Sequence, residues 1–234
     1  QKVERYNNLA VDIQKIDEIS VVAPVVEGQV MLTKDNNNQG VIVRGISKYD
    51  LLARSLVSDN IITGSMKQFG NGDSILIGLR LAQNLGVKLG ERVTVISPRG
   101  NITIMGSMPR IKSFKVIGMF DVGMYEYDSS MIFMPLASAQ KFFKMGSSVS
   151  YLEVFINAPE RSMGLLEAIR KKVGPNLTVV DWKRTNSSFY NAIQVERNVM
   201  FLILTLIILV AAFNIISGII MLVRDKSREI GILR

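Results

Sequence analysis

The stretch NVMFLILTLIILVAAFNIISGIIMLV, residues 198–223, decides the fold of this chain because it runs for twenty-six residues without a charged side chain. At about 1.5 Å of rise per residue, a helix of this length measures roughly 39 Å and exceeds the roughly 30 Å hydrocarbon layer of a bilayer. Core helices of soluble proteins seldom run past about 25 residues without a polar face. The stretch therefore predicts one transmembrane helix, which we place at residues 199–223.

Charges at the two ends of this helix predict its orientation. Glu196 and Arg197 precede it, whereas Arg224, Lys226 and Arg228 follow closely behind it. Because basic residues gather on the cytoplasmic side of short flanking segments, we expect the tail, residues 224–234, to be cytoplasmic and residues 1–197 to be extracytoplasmic. This topology predicts an upstream span or a cleaved signal, and a chain that continues past residue 234.

Small and amide-bearing residues recur on one side of the predicted span. Asn214, Ser217 and Gly218 fall at helical spacing, and such residues allow a second transmembrane helix to approach closely and to form hydrogen bonds. We therefore predict helix–helix packing at these three positions.

Composition excludes several classes of function. The chain has no cysteine and no histidine, so it lacks disulfides, Cys metal sites and the commonest general base. Residues 1–197 hold 24 Lys and Arg against 18 Asp and Glu, a mild and dispersed excess that does not indicate nucleic-acid binding. We predict a non-catalytic protein with no metal site and no cofactor in this chain.

Hydrophobic periodicity in residues 1–190 alternates between helix-like and strand-like segments. We predict an α+β domain in which residues 1–46 and 150–190 form one subdomain and residues 47–149 form a β-rich insert. The predicted helices cover residues 3–16, 79–86, 136–143 and 162–173, and the predicted strands cover residues 19–26, 30–33, 41–46, 93–96, 114–120, 131–134, 151–156 and 177–180.

The connection at residues 98–112 is the most unusual part of the insert. Structureless loops longer than about 12 to 15 residues are uncommon unless they bind a partner or are disordered. No Asp or Glu occurs between residues 92 and 120, whereas five Arg or Lys do, together with apolar Ile and Met side chains. Two interpretations remain open, a docking loop and a longer ordinary hairpin.

Several segments of the chain match a known pattern: MGSMP at 105–109 continuing to FKVIG at 114–118, AIQVERNVM at 192–200, AAFNIIS at 211–217 and DKSREIGILR at 225–234. These segments resemble the membrane subunits of the lipoprotein-releasing Lol transporter, the LolC/LolE group within the FtsX- and MacB-like ABC permeases. The resemblance covers essentially the whole chain. The LGVxxGE pattern within residues 81–95 is shared more widely among such permeases.

The resemblance implies a function and a set of partners. Proteins of this group are multi-pass permeases of the Gram-negative inner membrane whose periplasmic domain divides into a porter-like subdomain and an inserted β-rich one. They pair with a second permease subunit and with a cytoplasmic ABC ATPase dimer, which binds ATP and Mg²⁺. They extract acylated lipoprotein from the outer leaflet of the membrane and pass it to a periplasmic chaperone.

The resemblance also implies roles for individual residues. Residues 98–112 lie where some members carry a chaperone-binding hook, which assigns that role to Pro98, Arg99, Met105, Met108, Pro109, Arg110 and Lys112. The start of the cytoplasmic coupling segment would place ATPase contacts at Arg228, Glu229, Ile230, Leu233 and Arg234.

One departure bears on the partner subunit. The segments GSSVS at 146–150 and DKS at 225–227 look more like the subunit without a hook, so both a homodimer and a heterodimer remain open. Two further functions also remain as alternatives. One is a MacB- or FtsX-type mechanotransmitting permease for efflux or cell-division signalling, and the other is a single-span tethered sensor or binding protein.

Overall fold

The computed structural model describes residues 2–70, 72–103, 106–157, 162–175, 177–182 and 187–232. The chain divides into two compact units, one that extends to Val179 and one that begins at Val180. The first unit contains a β-sheet with flanking helices, and the second contains one long helix.

Seven α-helices, one short 3-10 helix (Met66–Gln68) and eight strands are described in the first unit. The helices are α1 (Tyr6–Gln14), α2 (Lys48–Leu52), α3 (Ser55–Ser58), α4 (Leu79–Leu85), α5 (Tyr125–Ser130), α6 (Leu136–Phe143) and α7 (Ser162–Val173). The strands are β1 (Ile19–Lys34), β2 (Asn37–Ile46), β3 (Ile61–Gly64), β4 (Ser74–Gly78), β5 (Arg92–Thr103), β6 (Gly106–Phe120), β7 (Met131–Pro135) and β8 (Tyr151–Ile156).

Six of these strands form a closed ring in the order β1-β2-β7-β4-β6-β5, which returns to β1. The ring closes because the second half of β1 pairs with β2 along one edge and with β5, at Met31 to Thr33, along the other. The first half of β1 pairs instead with β8. Strand β3 pairs with the end of β6 outside the ring.

Strands β4 and β7 are buried along their whole length, which explains why they are apolar except for Ser74. Successive side chains of a strand point to opposite faces, so Ile75 and Ile77 join the larger core cluster whereas Leu76 joins a second cluster. The larger cluster also contains α4 and α6 residues such as Leu81 and Phe142. Each fully buried aliphatic or aromatic side chain contributes about 1.5 to 3 kcal/mol to folding.

A third core cluster joins helices α1 and α7 to the paired strands β1 and β8. Ile13 of α1, Ile19 and Val22 of β1, and Ile169 of α7 are its buried members. The amphipathic patterns predicted for residues 3–16 and 162–173 therefore face a shared apolar layer.

Most predicted elements are confirmed, one is wrong, and the two strands predicted at 19–26 and 30–33 are a single strand, β1. Helices α6 and α7 and strand β8 have the predicted bounds, and α4 ends as predicted at Gly86, whose φ is 66°. The predicted strand at 177–180 is absent from the described ladders, because those residues are not in strand conformation. Leu177 and Val179 pack against the core clusters instead, so their apolar character reflects burial without strand pairing.

The first hairpin is longer than predicted. The strands predicted at 30–33 and 41–46 leave the polar run at residues 35–40 as their connection. The β1–β2 ladder instead continues to the pair Lys34 and Asn37, and Asp35 turns the chain with a φ of 51°. Two polar side chains of the run bond to neighbouring elements. The Gln39 amide donates to the Ser129 carbonyl at 2.9 Å, and the Asn37 amide donates to the Leu85 carbonyl at 3.4 Å.

The second unit contains helix α8 (Ser187–Ile232), of which Asn191–Arg224 is long and apolar enough to span a membrane. The predicted span at 199–223 lies inside it, and the predicted α+β fold class with one C-terminal apolar helix is confirmed. The division into a porter-like subdomain and an insert stays a prediction. Strands from both predicted parts share the ring, since β2 pairs with β7.

Candidate partner-binding hairpin

The connection predicted at 98–112 is formed largely by two paired strands. Pairing of β5 with β6 continues past Ser97 and Arg110 to Thr103 and Gly106, and residues 104–105 lie outside the described part. The described residues of this connection therefore form a longer hairpin, and whether that hairpin docks a partner stays a prediction. We call residues 97–110 the hairpin arm.

A bulge lies near the start of the hairpin arm. Ser97 pairs with Arg110 and Asn101 pairs with Met108, so three residues of β5 lie opposite Pro109 alone. Two of the residues in this bulge are prolines, Pro98 and Pro109, which have no N–H to donate and are tolerated where a ladder is interrupted. A Cβ on Gly100 would lie 1.5 Å from the Met108 carbonyl oxygen, so the bulge requires glycine there.

Basic side chains attach the base of the hairpin arm to the rest of the domain. Arg110 Nη1 donates to the Phe142 carbonyl at 3.3 Å, near the C-terminal end of α6, where carbonyls lack helical partners. Lys112 Nζ lies 2.6 Å from Asp73 Oδ1 and 5.3 Å from the centre of the Phe114 ring. These two residues therefore orient the hairpin arm through contacts within the chain.

The apolar side chains that are described in this region are accessible. Met108 and Ile111 are each 64% exposed, and Pro98 and Pro109 are also exposed. The side chain of Arg99 and the whole of Met105 lie outside the described residues. The seven predicted hook residues thus separate, where they are described, into exposed apolar ones and anchored basic ones. Their role in binding a chaperone stays a prediction.

Sequence reasoning missed an apolar row at the base of the hairpin arm. Met31 of β1 lies directly opposite Ile96 of β5, which lies directly opposite Ile111 of β6. Cross-strand neighbours on one face are about 4.5 to 5.5 Å apart at Cβ, so the three side chains form one surface. Met31 and Ile111 are exposed. The pairing of β1 with β5 creates this row, and no local pattern predicts that pairing.

Three acidic residues, Asp121, Glu126 and Asp128, follow β6 closely in sequence, and they differ in exposure. Glu126 is exposed, whereas Asp128 is fully buried. Its Oδ1 accepts the Val122 N–H at 2.9 Å, whereas its Oδ2 has no hydrogen-bond partner among the described residues. Burial raises the pKa of Asp128, partly opposed by the Val122 N–H.

No group of three or more acidic side chains suited to a metal ion occurs within the described ranges. The prediction that this chain holds no metal or cofactor stays a prediction.

Two other predicted sites lie on α8. Asn214, Ser217 and Gly218 are exposed within the second unit, and an added Cβ on Gly218 would meet open space. The predicted ATPase contacts Arg228, Glu229 and Ile230 continue the helical backbone, with side chains outside the description, and Leu233 and Arg234 are not described. Both roles stay predictions.

Comparison with known proteins gives matches over most of the chain. The family model of the MacB-like periplasmic core domain matches residues 3–172. The lipoprotein-releasing system transmembrane protein LolC of Neisseria meningitidis serogroup B is 34% identical over 218 residues, which are 92% of this chain and 52% of that protein. The corresponding LolE of Haemophilus influenzae is 25% identical over 99% of this chain and 56% of that protein.

A solved structure has a similar fold. The periplasmic region of MacB from Actinobacillus actinomycetemcomitans aligns with a TM-score of 0.52 at 15% identity, covering 82% of this chain and 84% of that one. At this identity the likeness concerns the fold alone. The chain spans about half the length of the LolC and LolE relatives that it matches.

Proposed function

Because this chain belongs to the family of MacB-like periplasmic core domains, matched over residues 3–172, we propose that it is part of an ABC permease subunit for lipoprotein release. In this proposal the first unit is periplasmic and α8 crosses the inner membrane. The resemblance to the LolC/LolE group, stated above from sequence segments, is confirmed by relatives of both names.

The proposed transport activity is the extraction of acylated lipoprotein from the outer leaflet of the inner membrane and its transfer to a periplasmic chaperone. A cytoplasmic ATPase dimer with bound ATP and Mg²⁺ drives the cycle, and a second permease subunit, identical or different, completes the membrane part. Helix α8 continues from the predicted periplasmic side to the coupling segment at residues 224–234. It therefore provides a covalent path along which ATPase closure moves the periplasmic unit.

One observation carries the proposal for chaperone capture. The hairpin arm combines exposed apolar side chains, Met108 among them, with a base fixed by Arg110 and Lys112. A rigid support lowers the ordering cost of binding, and an exposed methionine adapts to varied apolar surfaces. The absence of Asp and Glu between residues 92 and 120 favours a partner with an acidic rim.

The experiment compares two exposed methionines in the full-length permease. Met108→Ser removes the apolar contact of the hairpin arm, and Met124→Ser is the matched control, since Met124 is 41% exposed and lies outside the arm. We expect Met108→Ser to weaken chaperone capture at least about tenfold, which corresponds to the loss of one well-packed contact of about 1.4 kcal/mol. The Met124→Ser variant should capture chaperone normally.

Equal capture by both variants would overturn the assignment of the hairpin arm as the capture site. A MacB-type permease without chaperone capture is the main alternative, and the MacB-like family model favours it as strongly as it favours lipoprotein release. Capture by neither the wild-type protein nor the variants, with ATPase assembly intact, would select that alternative. A single-span sensor would assemble with no ATPase.

A further inference from the structure

A network of charged side chains lies on β1, β2 and β8. Glu27 and Arg44 are directly opposite each other across the β1–β2 ladder, and Arg44 Nε lies 3.0 Å from Glu27 Oε2. Arg44 Nη1 also lies 3.4 Å from Glu153 Oε1 on β8. The Tyr151 hydroxyl donates a hydrogen bond to Glu27. Burial is the larger cause, and this hydrogen bond the smaller one, of a raised pKa of Tyr151, so the hydroxyl keeps its proton.

Glu153 extends this network to a different part of the chain. Its second oxygen, Oε2, pairs with Nη2 of Arg54, which lies between the short helices α2 and α3. The two residues are ninety-nine positions apart in sequence. Glu153 therefore joins one guanidinium within the sheet to another guanidinium outside it.

The two arginines depend on Glu153 to different degrees. Arg44 has a second carboxylate in Glu27, whereas Glu153 is the single carboxylate paired with Arg54 among the described residues. The Arg54 side chain is only 11% exposed, and its Nε is buried without a hydrogen-bond partner. A charge so placed loses most of its stabilisation when its one partner is removed.

A second residue of β8 also contacts Arg54. The guanidinium lies 5.2 Å from the centre of the Phe155 ring, within the range of a cation–π interaction. Residues 153 and 155 are two positions apart, and side chains at this spacing share a face of a strand. Arg54 is thus held on β8 by a carboxylate and a ring on the same face.

The segment that carries Arg54 has little stability of its own. Helices α2 and α3 have five and four residues, far below the roughly 12 needed for an isolated helix to persist. Leu51 and Val57 fix the segment on its other side, since both are buried in the second core cluster. The segment therefore joins the second core cluster to β8.

We propose that Arg54 and Glu153 form a positioning pair that holds residues 47–59 on β8, so that β8 and the second core cluster move as one body. The proposal concerns this chain alone and stands independently of the proposed function. It assigns Glu153 a role different from that of Glu27, although both carboxylates bind Arg44.

Hydrogen–deuterium exchange of the full-length protein tests the proposal. Glu153→Gln and Arg54→Met each break the positioning pair, and Arg54→Met leaves Glu153 still paired with Arg44. Glu27→Gln is the matched control, because it removes a carboxylate from Arg44 without touching Arg54. We expect peptides within residues 47–59 to exchange at least about tenfold faster in both pair variants and at the wild-type rate in the control.

The double variant Arg54→Met/Glu153→Gln separates positioning from the burial of a lone charge. It leaves no unpaired charge, so its melting temperature should recover toward that of the wild type, whereas exchange at residues 47–59 should stay fast. Wild-type exchange in Arg54→Met overturns the proposal. So does acceleration by Glu27→Gln equal to that by Glu153→Gln, or restored protection in the double variant.

Discussion

Gly100 shows how one residue determines the geometry of the hairpin arm. The carbonyl of Met108 lies where a side chain would begin, and the contact is with backbone, which cannot move aside as a flexible side chain can. Gly40 of β2 is the opposite case, because an added Cβ there would meet nothing within 4 Å.

We therefore expect Gly100→Ala to distort the bulge at a local cost of about 1 to 3 kcal/mol. Limited proteolysis should cleave residues 97–110 faster, while the melting temperature of the domain changes little, because the bulge lies beyond residues 94–96, through which β5 pairs with β1. The control Gly40→Ala should leave both measurements unchanged. Equal protease resistance of Gly100→Ala and wild type would show that the arm tolerates a side chain at this position.

Asp128 gives a pH dependence whose sign follows from its environment. Because burial raises the pKa of this carboxyl in the folded state, the folded protein holds the proton more tightly than the unfolded chain does. The protonated Asp128 carboxyl therefore contributes to the free energy of unfolding. This contribution is fully present below the ordinary pKa of 3.8 and is lost as pH rises through the higher pKa of the folded state.

We expect Asp128→Asn to remove this dependence, because the amide oxygen still accepts the Val122 N–H and the group no longer ionises. Melting curves between pH 4 and pH 7 should show the variant gaining stability relative to wild type as pH rises. Asp59→Asn, at an exposed position, is the control, and its melting temperature should change with pH in the same way as that of the wild type. A parallel curve for Asp128→Asn would contradict the assigned environment.

At the scale of elements, local pattern predicted some helices and strands and missed others. The α6 run LASAQKFF and the α7 run SMGLLEAIRKKV show helical periodicity, and their bounds were correct. Helices α2 and α3 were missed because four or five residues hold too little periodicity to recognise. Strand β4 was missed for a different reason. Its sequence SILIG is a short apolar run that lacks alternation, because both faces of the strand are buried.

Helix α8 permits a direct test of the membrane span. Leu209 lies near the middle of the apolar stretch, where an arginine costs about 2.5 to 3.5 kcal/mol of insertion free energy. Leu209→Arg should therefore lower the amount of full-length protein that resists carbonate extraction from membranes. Val223→Arg is the control, because an arginine next to Arg224 can extend to the interface. Equal recovery of the two variants would contradict a span centred near residue 209.

At the scale of the whole molecule, the closure of the ring was beyond sequence reasoning. The α+β class follows from alternating helix and strand patterns, and the long apolar helix follows from composition. The pairing of β1 with β5 and of β2 with β7 joins segments far apart in sequence, and no residue in them specifies the partner strand. The apolar row and the positioning pair both depend on such pairings, so the sequence predicted neither.

The proposed topology of the whole molecule is testable because the chain has no native cysteine. Single cysteines at Leu56 and at Lys226, in a full-length protein from which any cysteine outside these 234 residues has been removed, should differ in labelling by a membrane-impermeant maleimide. We expect Leu56→Cys to react in cells with a permeabilised outer membrane, and Lys226→Cys to react only after the inner membrane is opened. Labelling of both from the same side would refute the orientation.

Strand β1 takes part in two ladders without a break between them. Each residue from Val21 to Val25 pairs with β8, and each residue from Val26 to Lys34 pairs with β2. The change of partner falls at the peptide bond between Val25 and Val26, with no unpaired residue to act as a linker. A displacement of β8 would therefore reach the ring through the backbone of β1 itself.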